Sequence, residues 1–238
     1  MKIDVIYTAG EETVRPNQTV IVIDVLRAST TMVTALANGS PAIYAEESVE
    51  AALKRAEAEG DILLCGERQG RKIESFDLGN SPLEYSAESI RGRVLVLTTS
   101  NGTRALKRVG QRNTALVGSF INFNAVLNRA LQLKQNITFL CAGDEGKFSY
   151  EDTLCAALMV QHMEQRSDSV SLSDAARHAG KALQGKARFS NDELEALLRQ
   201  TPHGQHLIRL GFAEDITYCA KMNRFDVVPV LKGDKLVI

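Results

Sequence analysis

Short β-branched runs take turns with longer amphipathic stretches through the first two-thirds of the chain, and few architectures accept that rhythm. Strands are predicted at residues 2–7, 19–24, 42–45, 62–65, 93–97, 115–118 and 137–141, and helices at 29–37, 49–59, 103–108, 122–133 and 149–165. Such alternation places the chain in the α/β class, with a largely parallel sheet covered on both faces. The run Val-Ile-Val-Ile-Asp at 20–24 is apolar almost throughout, as befits a strand buried on both sides. With 44% hydrophobic residues over 238 positions, the chain has enough apolar surface to bury a large core.

After position 167 the texture changes. Two Ser/Asn/Asp capping signals open helical stretches, predicting a helical appendage over about 167–210. No linker precedes it, so a single domain over 1–238 is expected. The chain closes on Asp-Val-Val-Pro-Val-Leu-Lys-Gly-Asp-Lys-Leu-Val-Ile, read as a hairpin turning at Lys-Gly-Asp-Lys.

Charge and composition exclude several functions. Twenty-eight basic residues balance twenty-nine acidic ones and there is no Trp, so a nucleic-acid surface is disfavoured. No apolar run is long enough to cross a bilayer, and the acidic N-terminus lacks the order of a secretion signal, giving a cytoplasmic reading. Cys65, Cys141, Cys155 and Cys219 lie far apart and read as buried reduced thiols. His203 and His206 have zinc-like spacing without thiol or carboxylate companions, and read as surface histidines.

Polar clusters fall just after the carboxyl ends of predicted strands, where open α/β sheets place their ligand crevice. In the first, Asp24 closes a buried strand, Arg27 follows, and Ser29, Thr30 and Thr31 lead into a helix. A buried carboxylate needs a partner or a metal. Either Arg27 is that partner, or Asp24 is a magnesium ligand or nucleophile with the hydroxyls receiving phosphate. The second cluster packs Glu67, Arg68, Arg71, Lys72, Glu74, Asp77, Asn80 and Ser81 into one loop, both signs together, which suits a metal with an acidic ligand. The third, Thr98, Thr99, Ser100, Asn101, Gly102, Thr103 and Arg104, lets backbone N–H groups approach an anion, or simply caps a helix. The fourth holds Asp144, Glu145, Glu151 and Asp152; a Ser149–Asp152 capping box accounts for Asp152 alone.

Together the strings VIDVLRASTT, GERQGRKIESFDLGNSP, LTTSNGTRAL and CAGDEGKFSYEDTLCA resemble the successive signature blocks of the 2-phosphosulfolactate phosphatases, the ComB family, over essentially the whole chain. The resemblance implies a three-layer α/β/α sandwich with a mostly parallel or mixed sheet. It also implies a Mg²⁺-dependent hydrolase that releases phosphate from 2-phosphosulfolactate, leaving 3-sulfolactate, a step toward coenzyme M. Val-Leu-Arg after Asp24 departs from the D-x-D-x-T pattern, so a phosphoaspartyl intermediate is not inherited.

On this reading the catalytic candidates are Asp24, Arg27, Glu67 and Asp152. Substrate contacts come from Ser29, Thr30, Arg68, Asn80, Ser81, Thr99, Ser100, Asn101, Gly102 and Arg104. Mg²⁺ is expected on carboxylates drawn from Asp24, Glu67, Asp144, Glu151 and Asp152, with in-line phosphoryl transfer from a small anionic phosphoester. Attack by Asp24 and attack by water both stay open, as does a homo-oligomer. The rivals are a phosphatase of another hydroxy-acid or sugar phosphate, and a non-catalytic anion-binding protein. Against the second, clustered acids beside an anion are a liability unless a cation intervenes.

Overall fold

The computed structural model describes residues 1–10, 14–166, 169–183, 185–186 and 188–238. The strands are β1 (Lys2–Ile6), β2 (Thr19–Ile23), β3 (Ile43–Glu46), β4 (Ile62–Arg68), β5 (Arg71–Lys72), β6 (Val94–Thr98), β7 (Thr114–Gly118), β8 (Ile137–Cys141), β9 (Ser171–Leu172), β10 (Val230–Lys232) and β11 (Lys235–Val237). The helices are α1 (Ala28–Ala37), α2 (Val49–Glu59), α3 (Ala87–Ile90), α4 (Gly102–Arg108), α5 (Phe123–Leu133), α6 (Tyr150–Arg166), α7 (Asp174–Ala179), α8 (Asn191–Gln200), α9 (Pro202–Arg209) and α10 (Ala213–Cys219). They flank one sheet ordered β5-β4-β6-β3-β11-β10-β7-β2-β8-β1-β9, an α/β three-layer sandwich.

Strand β2 shows why the centre holds. Ile21 and Ile23 face a core shared with Phe139 of β8 and with α5 and α6, whereas Val20 and Val22 face the opposite core with Met32 of α1 and Leu106 of α4. Period-2 alternation sends successive side chains to opposite faces, and here both faces are dry. Each such side chain is worth roughly 1.5–3 kcal/mol when fully buried.

The sheet is mixed in a particular way. β7, β2, β8, β1 and β9 pair in parallel, as do β3, β6 and β4. The C-terminal hairpin β10–β11 lies between the two groups, with β10 antiparallel to β7 and β11 antiparallel to β3. The hairpin expected from Lys-Gly-Asp-Lys is therefore present, turning at Gly233 and Asp234. Sequence pattern does not reveal that it occupies the middle of the sheet.

The helical C-terminal stretch also holds more than expected. It contains β9, paired with the edge of β1, and its helices continue to Cys219. Leu194, Leu198, Leu207 and Ile216 are buried in the same core as β1, β2 and β8. All four cysteines are buried and free. Among the described residues no helix is long and apolar enough to cross a membrane.

Candidate active site

Loops after β2, β6 and β8, the end of β4 and the start of α9 line one cavity of about 380 Å³. Asp24, Arg27, Glu67, Asn80, Thr99, Ser100, Asn101 and Asp144 all border it, so segments more than a hundred residues apart meet there.

Asp24 follows β2 directly and is 7% exposed. Its Oδ1 accepts from the Ala28 N–H at 3.1 Å, and its own N–H donates to Ser29 Oγ at 2.9 Å. Burial pushes the Asp24 carboxyl up to about 7, the Ala28 N–H opposes that, and the charges of Glu67 and Glu151 add to it. The hydroxyls expected to receive phosphate are engaged elsewhere. Ser29 Oγ also bonds Val22 O at 3.3 Å, Thr30 Oγ1 bonds Val25 O at 3.0 Å, and Thr31 Oγ1 bonds Asn80 O at 2.8 Å. The first turn of α1 thus holds Asp24 in place, and neither Ser29 nor Thr30 lines the cavity.

Arg27 does not pair with Asp24. Its Nη1 donates to Asp215 Oδ2 at 2.6 Å, its Nη2 donates to Gly70 O at 2.8 Å, and the guanidinium lies 4.4 Å from the centroid of the Phe212 ring. Ser81 donates to the other oxygen of Asp215 at 2.6 Å. Asp215 is buried and carries no motif in the sequence that would have singled it out.

Glu67 stitches two loops together. Its Oε2 accepts from Gly70 N–H and its Oε1 from Ser100 N–H, each at 2.8 Å. Gly66, at φ +148°, sits so near β6 that a Cβ would lie 2.1 Å from Thr98 O. Gly102 has a similar task beside Asp24: a Cβ there would lie 2.7 Å from Asp24 Oδ2 and 2.5 Å from the Ala28 Cβ. Only a residue without a side chain allows that approach.

Asp152 behaves unlike a simple cap. Its N–H does donate to Ser149 Oγ at 3.2 Å, but its carboxylate reaches away, accepting from Val25 N–H at 2.8 Å and Gly143 N–H at 3.2 Å. The loops after β2 and β8 are joined through it. Burial holds its carboxyl well above the ordinary range, and the charges of Asp24 and Glu151 add to that. Glu151 is raised too, by burial first and by Asp144 after its own backbone bond is set against it. Both residues are buried and lie outside the cavity lining.

Arg68 and Arg104 border adjoining pockets rather than the cavity itself, and Arg68 donates to Glu67 O and Thr98 Oγ1. The histidines expected on the surface line the cavity instead. His203 Nδ1 lies 3.8 Å from Asp144 Oδ2, and His206 Nε2 lies 3.2 Å from Gln69 O. Their spacing puts both on one face of α9, but only the packing of α9 decides where that face points.

No group of three or more His, Cys, Asp or Glu among the described residues is assembled to hold a metal ion. The donors at the cavity nonetheless suit a hard cation. Asp24, Glu67 and Asp144 offer oxygen only, and Asn80 Oδ1 is a buried oxygen without a hydrogen-bond partner. Mg²⁺ prefers one or two carboxylates, several waters and substrate phosphate to a closed protein cage.

The sequence matches a family model described as 2-phosphosulpholactate phosphatase over residues 6–234. It is 41% identical to a probable 2-phosphosulfolactate phosphatase of Thermotoga petrophila, across 93% of this chain and 92% of that one. A protein of Carboxydothermus hydrogenoformans with the same description is 39% identical over 100% of this chain and 97% of its own length. Another, of Clostridium acetobutylicum, is 36% identical over 96% and 97%.

Proposed function

Because the chain belongs to the 2-phosphosulpholactate phosphatase family, we propose that it is a phosphoric monoester hydrolase acting on 2-phosphosulfolactate, releasing phosphate and 3-sulfolactate. The observation that supports this best is the convergence of Asp24, Glu67, residues 99–101 and Asp144 on one cavity.

In this reading Asp24 takes the proton of the attacking water. One of its oxygens is fixed by the Ala28 N–H, its other lies beside Gly102, and a carboxyl pushed up to about 7 matches a general base working near neutrality. The Thr99 and Ser100 N–H groups are committed to Thr103 Oγ1 and Glu67 Oε1. The N–H groups of Asn101 and Gly102 are left to meet phosphate oxygens as α4 begins. Arg27, bound to Asp215 and Gly70 O, serves to fix the cavity wall. Glu67, Asp144 and Asn80 Oδ1 would hold Mg²⁺, whose chemistry is to neutralise phosphoryl charge.

The test is phosphate release from 2-phosphosulfolactate by the purified protein with Mg²⁺. Release by the wild type and its loss in Asp24→Asn are expected. Absence of release overturns the assignment, and a trapped phosphoenzyme overturns Asp24 as a base.

A further inference from the structure

The charges around the cavity are unevenly spread, and the imbalance bears on how a polyanionic substrate lies. The catalytic cavity carries Asp24, Glu67, Asp144 and Glu145, while its one arginine, Arg27, is neutralised by Asp215 at 2.6 Å. Without a cation, that space repels acids. Across the wall formed by Ser100, Asn101 and Glu145 lies a second pocket of about 230 Å³, bordered by Arg104 and Arg108. These two arginines stand four apart on α4 and so share a helix face. Neither makes an ion pair or hydrogen bond among the described residues. Among the described lining residues Glu145 is the one acid, set against two arginines.

From this division we infer that the Arg104–Arg108 pocket receives the acidic groups that the substrate keeps, carboxylate or sulfonate, while the phosphoryl group enters the carboxylate-lined cavity. The inference rests on the phosphatase reading above and adds the basis of selectivity. A guanidinium fork suits both oxyanions, and the two pockets adjoin, sharing Ser100, Asn101 and Glu145 in their linings. Arg104 and Arg108 are therefore specificity-determining residues for the substrate tail, without a part in bond cleavage.

Three phosphoesters of the same three-carbon length separate the contributions: 2-phosphosulfolactate with both acids, 2-phospholactate with the carboxylate alone, and glycerol 2-phosphate with neither. Steady-state kinetics are measured on wild type, Arg104→Gln, Arg108→Gln and the double variant, with circular dichroism to verify folding. Losing a charge-assisted contact lowers the kcat/KM ratio of 2-phosphosulfolactate to glycerol 2-phosphate by at least about tenfold in the double variant. The loss falls mainly on KM, and it is smaller for 2-phospholactate. A ratio unchanged within about twofold, well short of a tenfold step, refutes the subsite while leaving the phosphatase reading intact. An equal loss on glycerol 2-phosphate also refutes it, since the arginines would then act on phosphate. No release from any of the three by the wild type refutes both.

Discussion

Asp215→Asn is the sharpest test of how the cavity wall is held. Arg27 and Asp215 are 2.6 Å apart with both side chains only 2% exposed, so the pair is largely shielded from water. Replacing the carboxylate by an amide keeps the shape and an acceptor for Ser81 but removes the counter-charge. Arg27 then retains only Gly70 O and the Phe212 face as partners. Removing one member of a buried pair costs about 3–5 kcal/mol, because the remaining charge stays buried and uncompensated. At about 2–4 °C per kcal/mol for a chain of this size, the melting temperature falls by roughly 6–20 °C. Urea unfolding followed by circular dichroism reads the same loss as a lower midpoint with unchanged slope. The companion variant, Arg27→Met with Asp215→Leu, removes both charges and returns stability to within about 1 kcal/mol of the wild type or above it. If Asp215→Asn alone loses less than about 1 kcal/mol, the exposed-pair range, the pair is not desolvated and this account of the wall is wrong.

Asp24→Asn lowers turnover by about 10²–10⁴, the usual contribution of a general base; a near-wild-type rate removes Asp24 from the chemistry. The same variant has a pH signature in chelator. Asp24 titrates near 3.8 unfolded and about 7 folded, so its own contribution to wild-type stability falls as pH rises through that window and is level above it. This share amounts to at most about 4 kcal/mol, and Asp24→Asn removes it; equal changes in stability between pH 5 and 8 for the two proteins, read by urea unfolding, would contradict this. Gly102→Ala forces a methyl against Asp24 Oδ2 and Ala28, costing about 1–3 kcal/mol by overpacking and more in activity; a fully active variant shows that α4 does not abut the reacting groups. Mg²⁺ binding only the folded state raises stability by about 2.7 kcal/mol at a hundredfold excess over its Kd; a melting temperature indifferent to added Mg²⁺ speaks against the metal.

Period and burial made much of this fold legible. The strands at 19–23 and 137–141 announce themselves through continuous β-branched runs, and α2 begins and ends where its Ser48 cap and Gly60 indicate. The hairpin turn was equally plain in Lys-Gly-Asp-Lys. Its insertion between β7 and β3 was not, because local sequence carries no record of which distant strand completes a hydrogen-bond ladder. At the site, Asp24, Glu67 and Asp144 were visible as acids closing strands or filling loops. Asp215 was invisible, being one acid in the first turn of α10 whose importance comes only from Arg27 arriving from 188 residues away. His203 and His206 stand out by their spacing, but amphipathic pattern fixes a helix face and not the cavity that face meets.

The acids of this site have two tasks that pull in opposite directions. Glu67 grips the N–H groups of Gly70 and Ser100, Asp152 those of Val25 and Gly143, and Asp24 that of Ala28. The bonds to Ser100 and Val25 tie distant backbone segments together, and all of them favour the ionised carboxylate. Yet burial and mutual repulsion raise Asp24, Glu151 and Asp152 together, favouring the neutral acid. Neutral acids would accept those N–H bonds less strongly and loosen the loops they join. A divalent cation held by Glu67 and Asp144, as proposed above, would ease the conflict, since a nearby positive charge favours the ionised form of the acids around it without cutting their backbone bonds. On that proposal the charge that would order the loops would also prepare them for a phosphoryl group, giving the fold's internal stitching and its chemistry one electrostatic cause.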